Sequence, residues 1–192
     1  MAVELAAKAR AFQEGADQLL EESGLLNVLH QAGEVRMTGA YAYGVMLDPD
    51  IDIEVLVPDG GERSAAVALL QSLIDQNYWN GYLFYDHREK RSPQPQHSDV
   101  PWAYYVGVKA PHGGHWWEVD VWVGDAQTLP PADDWIRNGL DRRARRIVLS
   151  LKQARTVGQI RASGLAIYTA VLKHQVATVE QFLAWQRDQA PA

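Results

Sequence analysis

The segment Asp50-Ile51-Asp52-Ile53-Glu54-Val55-Leu56-Val57 constrains the fold more than any other part of the chain. Acidic and apolar residues alternate, and the run then turns wholly apolar. A period of two marks a β-strand, because successive side chains point to opposite faces. The strand therefore enters a core at its C-terminal end and gathers Asp50, Asp52 and Glu54 on one face. Two carboxylates that close repel each other unless a cation neutralises them. Hard oxygen donors in this pattern suit magnesium. The competing reading is a solvated strand face, where alternating acids are common.

The flanking sequence predicts a mixed module. Residues 2–22 carry Leu5, Ala9, Phe12, Ala16 and Leu19 at helical spacing, and Gly24 is a stop. Leu25 to Leu29 reads as a further helical turn, 34–38 as a short strand and 40–47 as a short helix closed by the turn signal Asp48-Pro49. A helix is predicted over 62–76, and strands over 80–87, 102–109 and 115–123. Residues 91–101 hold three prolines and read as a loop, and 111–115 (PHGGH) reads as a hairpin turn. From 129 the pattern is helical throughout. Ile136, Leu140, Ala144, Ile147, Val148 and Leu151 mark one long helix, Ser163 caps another, and Thr178 with Gln181 forms a capping box for a last one. The expectation is an α+β domain over 1–128 and a helical extension over 129–192.

Composition narrows the function. The chain of 192 residues has no cysteine, which excludes disulfides, thiolate metal sites and a cysteine nucleophile. No apolar run is of signal-peptide type or approaches a membrane span, so a cytoplasmic address is expected. The net charge of −6 argues against extended nucleic-acid binding. It is unevenly spread: residues 137–161 hold eight basic residues and one acid, and the remainder is −13.

Before the Asp50/Asp52 pair come Gly39-Ala40 and the short helix. A Gly-small dipeptide, nine residues and then Asp-apolar-Asp-apolar resembles the signature of the DNA polymerase-β-like nucleotidyltransferase superfamily. The resemblance spans about residues 34–123. It implies a mixed sheet flanked by helices, magnesium bound by Asp50 and Asp52, and triphosphate held at the strand-to-helix turn. Thr38, Gly39, Ala40 and Tyr41 fall at that turn, where backbone N–H groups at a helix start favour phosphate. The superfamily also has a third carboxylate on a later strand. Trp117-Glu118-Val119-Asp120-Val121-Trp122 resembles that strand, which assigns Asp120, with Glu118 as second choice. Asp120 lies mid-strand in an apolar run, where an unpaired charge is costly and a cation would offset it. Ala40 stands where the superfamily usually has serine.

The activity implied is transfer of a nucleoside monophosphate from ATP or GTP to a hydroxyl of a small molecule, as in antibiotic modification, with two magnesium ions. Two other functions remain open. One is a weak or inactive relative that senses nucleotide, suggested by Ala40. The other is a protein-interaction module, such as a toxin–antitoxin partner, that uses the tail. The basic segment reads either as a solvated helix face or as a source of arginines for the triphosphate. His87, Arg88, Lys90 and Arg91 read either as a wet loop edge or as an acceptor-site lid. Of Tyr41 and Tyr43, one is expected in the core, and Tyr168 is expected to pack.

Overall fold

A computed structural model describes residues 2–88, 100–130 and 134–189. Helices α1 (Ala2–Ser23) and α2 (Leu25–Ala32) meet at Gly24 and lead into strand β1 (Glu34–Thr38), helix α3 (Gly39–Tyr43) and strand β2 (Asp50–Leu56). Helix α4 (Glu62–Asp75) precedes strands β3 (Gly81–Asp86), β4 (Tyr104–His112) and β5 (His115–Gly124). Among the described residues, helices α5 (Asp134–Gly139), α6 (Arg142–Thr156), α7 (Gly164–His174) and α8 (Val179–Gln189) follow.

The strands form one mixed sheet in the order β1-β2-β5-β4-β3, in which β2 and β5 run parallel and the other neighbours antiparallel. Ile51, Ile53 and Val55 of β2 and Val119, Val121 and Val123 of β5 are fully buried against α1, α2 and α4. Each buried aliphatic is worth about 1.5–3 kcal/mol. A one-residue slip of β2 would expel three of them and drive three acids inward, so burial fixes the register. The acidic face is a consequence of that lock.

Two predicted elements differ. The helix expected over 40–47 ends at Tyr43, because Gly44 adopts a left-handed φ of 64° and turns Val45, Met46 and Leu47 into the protein as buried irregular chain. The long helix expected from Ile136 to Leu151 is two helices. It breaks at Asp141, whose carboxylate accepts from Ala144 N–H and caps α6. The Ser163 cap and the Thr178–Gln181 contact form at α7 and α8.

The tail helices build a second core cluster. It also takes Ala9 from α1, Tyr43 from α3, and Val45 and Leu47 from the turn beyond it. The acidic strand face and the tail are thereby brought to one place. Among the described residues no helix is long and apolar enough to cross a membrane. Most of the proline-bearing loop, including Lys90 and Arg91, lies outside the described residues.

Candidate active site

The parallel register sets Asp52 beside Asp120 and Asp50 beside Glu118. Asp50, Asp52 and Asp120 each bring a carboxylate oxygen into one group, all within 4.8 Å of one another. Glu118 does not join them. It is turned to β4, where its Oε1 lies 2.6 Å from Lys109 Nζ.

The electrostatics of the group are unfavourable by themselves. Burial, then the neighbouring carboxylates of Asp52, Asp120 and Glu118, push the Asp50 carboxyl up to about 8. Burial also raises Asp120, against a hydrogen bond from the Tyr105 hydroxyl to Asp120 Oδ1 at 2.7 Å that lowers it. Asp50 Oδ1 is buried and has no hydrogen-bond partner. A buried acceptor left unsatisfied is costly. An all-oxygen carboxylate set with one orphaned oxygen fits a magnesium ion, which would meet both the repulsion and the empty acceptor.

A second acidic group, Asp59, Glu62 and Asp125, shows the contrast. There Asp125 accepts from Gln127 N–H and Thr128 N–H, and backbone donors hold its carboxyl below the usual range. Glu62 accepts from Gly60 N–H and faces Arg88. Asp125 and Glu62 thus have protein donors, whereas Asp50 Oδ1 has none.

Thr38, Gly39 and Ala40 line the same cleft, of about 410 Å³, as the three carboxylates. Gly39 has φ 60°, and a Cβ there would overlap the Asp52 carboxylate. Only glycine lets the chain turn so close to the acid. Tyr41 does not join the cleft. Its hydroxyl donates to Asp17 of α1 at 2.7 Å, and its ring packs on the main core. Tyr43 does line the cleft, in edge contact with Tyr168 at 5.4 Å, and both rings are buried.

The tail closes the cleft with cations. Lys152 is buried and donates to Val45 O at 3.0 Å. Burial, then Arg155, press its ammonium down to about 8, while Asp48, Asp52 and Asp50 oppose the shift. Arg155 Nη2 lies 3.4 Å from Asp48 Oδ2 and also lines the cleft. The other basic residues of the segment are not among those that line this cleft. Arg145 is spent on the carbonyls of Leu140 and Tyr43. Arg142 and Arg146 line a separate groove between α1 and α6, of about 710 Å³, whose lining residues include no acid. The sequence puts Lys152 and Arg155 in the basic segment, but only the packing of α6 on the Val45 turn singles them out.

Of the loop-edge residues, His87 is buried, and Arg88 bonds Asp86 and the Tyr104 hydroxyl.

No protein-family model and no curated protein matches the chain. Solved structures do. The polymerase core of TRAMP, an RNA surveillance complex, superposes with a TM-score of 0.52 at 19% identity, over 86% of this chain and 47% of that one. The GLD-2/RNP-8 complex gives 0.50 at 12% identity, over 88% and 64%. A third match, the non-canonical poly(A) polymerase complex GLD-2–GLD-3, gives 0.47 at 14%, over 87% and 57%. The chain thus spans about half to two thirds of the length of these structures. The five-stranded mixed sheet flanked by helices and this likeness agree: the chain has an α+β, nucleotidyltransferase-type fold.

Proposed function

We propose that the protein is a magnesium-dependent nucleotidyltransferase that moves a nucleoside monophosphate from ATP or GTP to a hydroxyl of a small-molecule acceptor. The observation that carries this is the convergence of Asp50, Asp52 and Asp120, with Asp50 Oδ1 buried and partnerless, in a cleft that also holds Gly39 and Lys152. The overall acidity of the chain and the absence of a recognised nucleic-acid module favour a small acceptor over a long strand.

In this reading Asp50, Asp52 and Asp120 would hold magnesium. Bound there, the metal would supply charge stabilisation to the attacking and leaving oxygens. The backbone at Gly39 and Ala40, the Thr38 hydroxyl and the ammonium of Lys152 hold the triphosphate, with Arg155 able to exchange Asp48 for a phosphate oxygen. The acceptor oxygen attacks the α-phosphorus. A new P–O bond forms, the bond to the bridging oxygen breaks, and pyrophosphate leaves with the electron pair. Asp120 takes the hydroxyl proton. Positioning and charge stabilisation supply most of the rate.

The test is calorimetry of ATP and GTP with and without magnesium. Saturable, magnesium-dependent binding that Asp50→Asn abolishes supports the reading, and binding that ignores the metal overturns it. Ala40 in place of serine motivates a second reading, a nucleotide sensor without transfer. Labelled nucleotide appearing on an acceptor separates the two.

A further inference from the structure

Asp120 and Trp122 line two cavities at once. One is the triphosphate cleft. The other is a pocket of about 230 Å³ on the far side of Asp120, over β3 and β4. Its walls are Tyr85, Tyr105, Trp122 and His87, with Leu83 and Val100 completing them. The sheet register explains the cluster. Tyr85, Tyr105 and Trp122 are cross-strand neighbours in one row of β3, β4 and β5. Tyr85 and Tyr105 stack at 5.8 Å and 17°, Tyr105 meets Trp122 at 5.1 Å, and His87 meets Trp122 at 5.3 Å.

We infer that this pocket is the acceptor subsite and selects an uncharged, flat-ringed acceptor whose hydroxyl is presented to Asp120. The inference rests on the transferase reading above and names its acceptor class. Three observations carry it. The pocket opens on the carboxylate that would take the acceptor proton. Its walls are aromatic faces, which stack on any planar ring. Asp120 is the one acid among the described residues that line it, and in the transferase that carboxylate would be a magnesium ligand. Among the described residues a polyamine or amino sugar finds no further counter-charge there. His87 is the one basic residue among them, and burial favours its neutral form. The volume equals that of roughly eight waters, the room of one ring system rather than a chain of sugars. The ring can belong to a free small molecule or to the terminal nucleoside of a strand.

The experiment uses the full chain saturated with magnesium and a non-hydrolysable ATP analogue, which fills the nucleotide cleft. Adenosine, ribose, glucosamine and a short oligoadenylate are then titrated by calorimetry. Adenosine is expected to bind at least about 10-fold more tightly than ribose or glucosamine. Tyr85→Ala is expected to weaken adenosine about 10-fold, and Tyr85→Phe to restore it, because the ring and not the hydroxyl is used. Both variants should bind the ATP analogue as the parent does, which shows that fold and cleft are intact. Oligoadenylate binding more tightly than adenosine assigns the ring to a strand end, and equal binding assigns it to a free molecule. The inference is overturned if the analogue binds but adenosine does not. It is also overturned if glucosamine or ribose binds as well as adenosine, or if Tyr85→Ala leaves adenosine unchanged. Failure of the analogue itself to bind removes the transferase reading, and this inference with it.

Discussion

Gly39 and Asp52 occupy one space: a Cβ on Gly39 would overlap the Asp52 carboxylate, and Gly39 holds a φ of 60° that side chains resist. The strand pairing of Thr38 with Asp52 makes this approach unavoidable. Gly39→Ala should therefore cost about 1–3 kcal/mol from backbone strain alone. It should also lower magnesium-triphosphate affinity at least about 10-fold by displacing Asp52. Thermal melts and calorimetry read the two effects separately. Ala40→Ser points the other way. It adds a hydroxyl at the turn and should raise triphosphate affinity about 5-fold, the worth of one ordinary hydrogen bond. A serine variant that binds no better would place the phosphates away from this turn.

The Asp50 carboxyl gives a pH dependence with a definite sign. Its folded pKa is about 8, against 3.8 ordinarily. A group raised on folding stabilises the fold below its unfolded pKa, and that contribution is lost as pH rises through the folded one. The metal-free protein should thus lose stability between about pH 4 and 8. Lys152, pressed down to about 8 from 10.5, acts only above that window. Magnesium must displace the Asp50 proton, so its affinity should rise with pH up to about 8. Melting curves at pH 6, 7 and 8 should show a magnesium-induced increase in Tm that grows with pH. Asp50→Asn should raise the metal-free Tm at pH 8, flatten its pH slope and remove the magnesium increment. A destabilised, still magnesium-responsive Asp50→Asn protein would refute this account.

Lys152 separates the cleft from the rest of the basic segment. It is buried among the acids, whereas Arg143 is exposed and lines neither groove. Lys152→Met keeps the length of the side chain and removes its charge. A charge-assisted phosphate contact is worth about 1.5–3 kcal/mol, so triphosphate affinity should fall about 10- to 100-fold. Arg143→Ala should change it less than about 2-fold. Equal losses in the two variants would mean that the segment acts only through its overall field.

How much of this the sequence carries follows from the range of each interaction. The acids of β2 are legible because strand period is local and the apolar partners Ile51, Ile53 and Val55 fix the face. Asp120 is legible by the same alternation in β5, and the register then sets it against Asp52. Lys152 is not, because its bond to Val45 O joins residues 107 apart and helix period gives a face without its partner. Tyr41 and Tyr43 are not separable either. Five residues of α3 are too few for a helical pattern, and the decision rests on Asp17 and Tyr168, far off in the chain. The break at Asp141 turns on one capping carboxylate against a continuous apolar stripe. The aromatic row of Tyr85, Tyr105 and Trp122 exists only once three strands are paired.

Tyr105 reaches Asp120 across Gly107, the residue paired with Asp120 in the sheet. A Cβ on Gly107 would overlap the Tyr105 hydroxyl. Gly107→Ala should therefore swing the hydroxyl off the carboxylate and slow transfer about 10-fold, with triphosphate binding within about 3-fold of the parent. Tyr105→Phe isolates the hydrogen bond, since it keeps the ring that walls the aromatic pocket beside Asp120. That bond holds the Asp120 carboxyl down against burial, so its removal raises the carboxyl further. A base with a raised pKa reaches its working form at higher pH. The acid limb of the transfer-rate profile should move upward in Tyr105→Phe, and the rate above that limb should change less than the rate below it. A uniform loss at every pH would show that Tyr105 only shapes the pocket, and an unchanged profile would show that Asp120 does not take the proton.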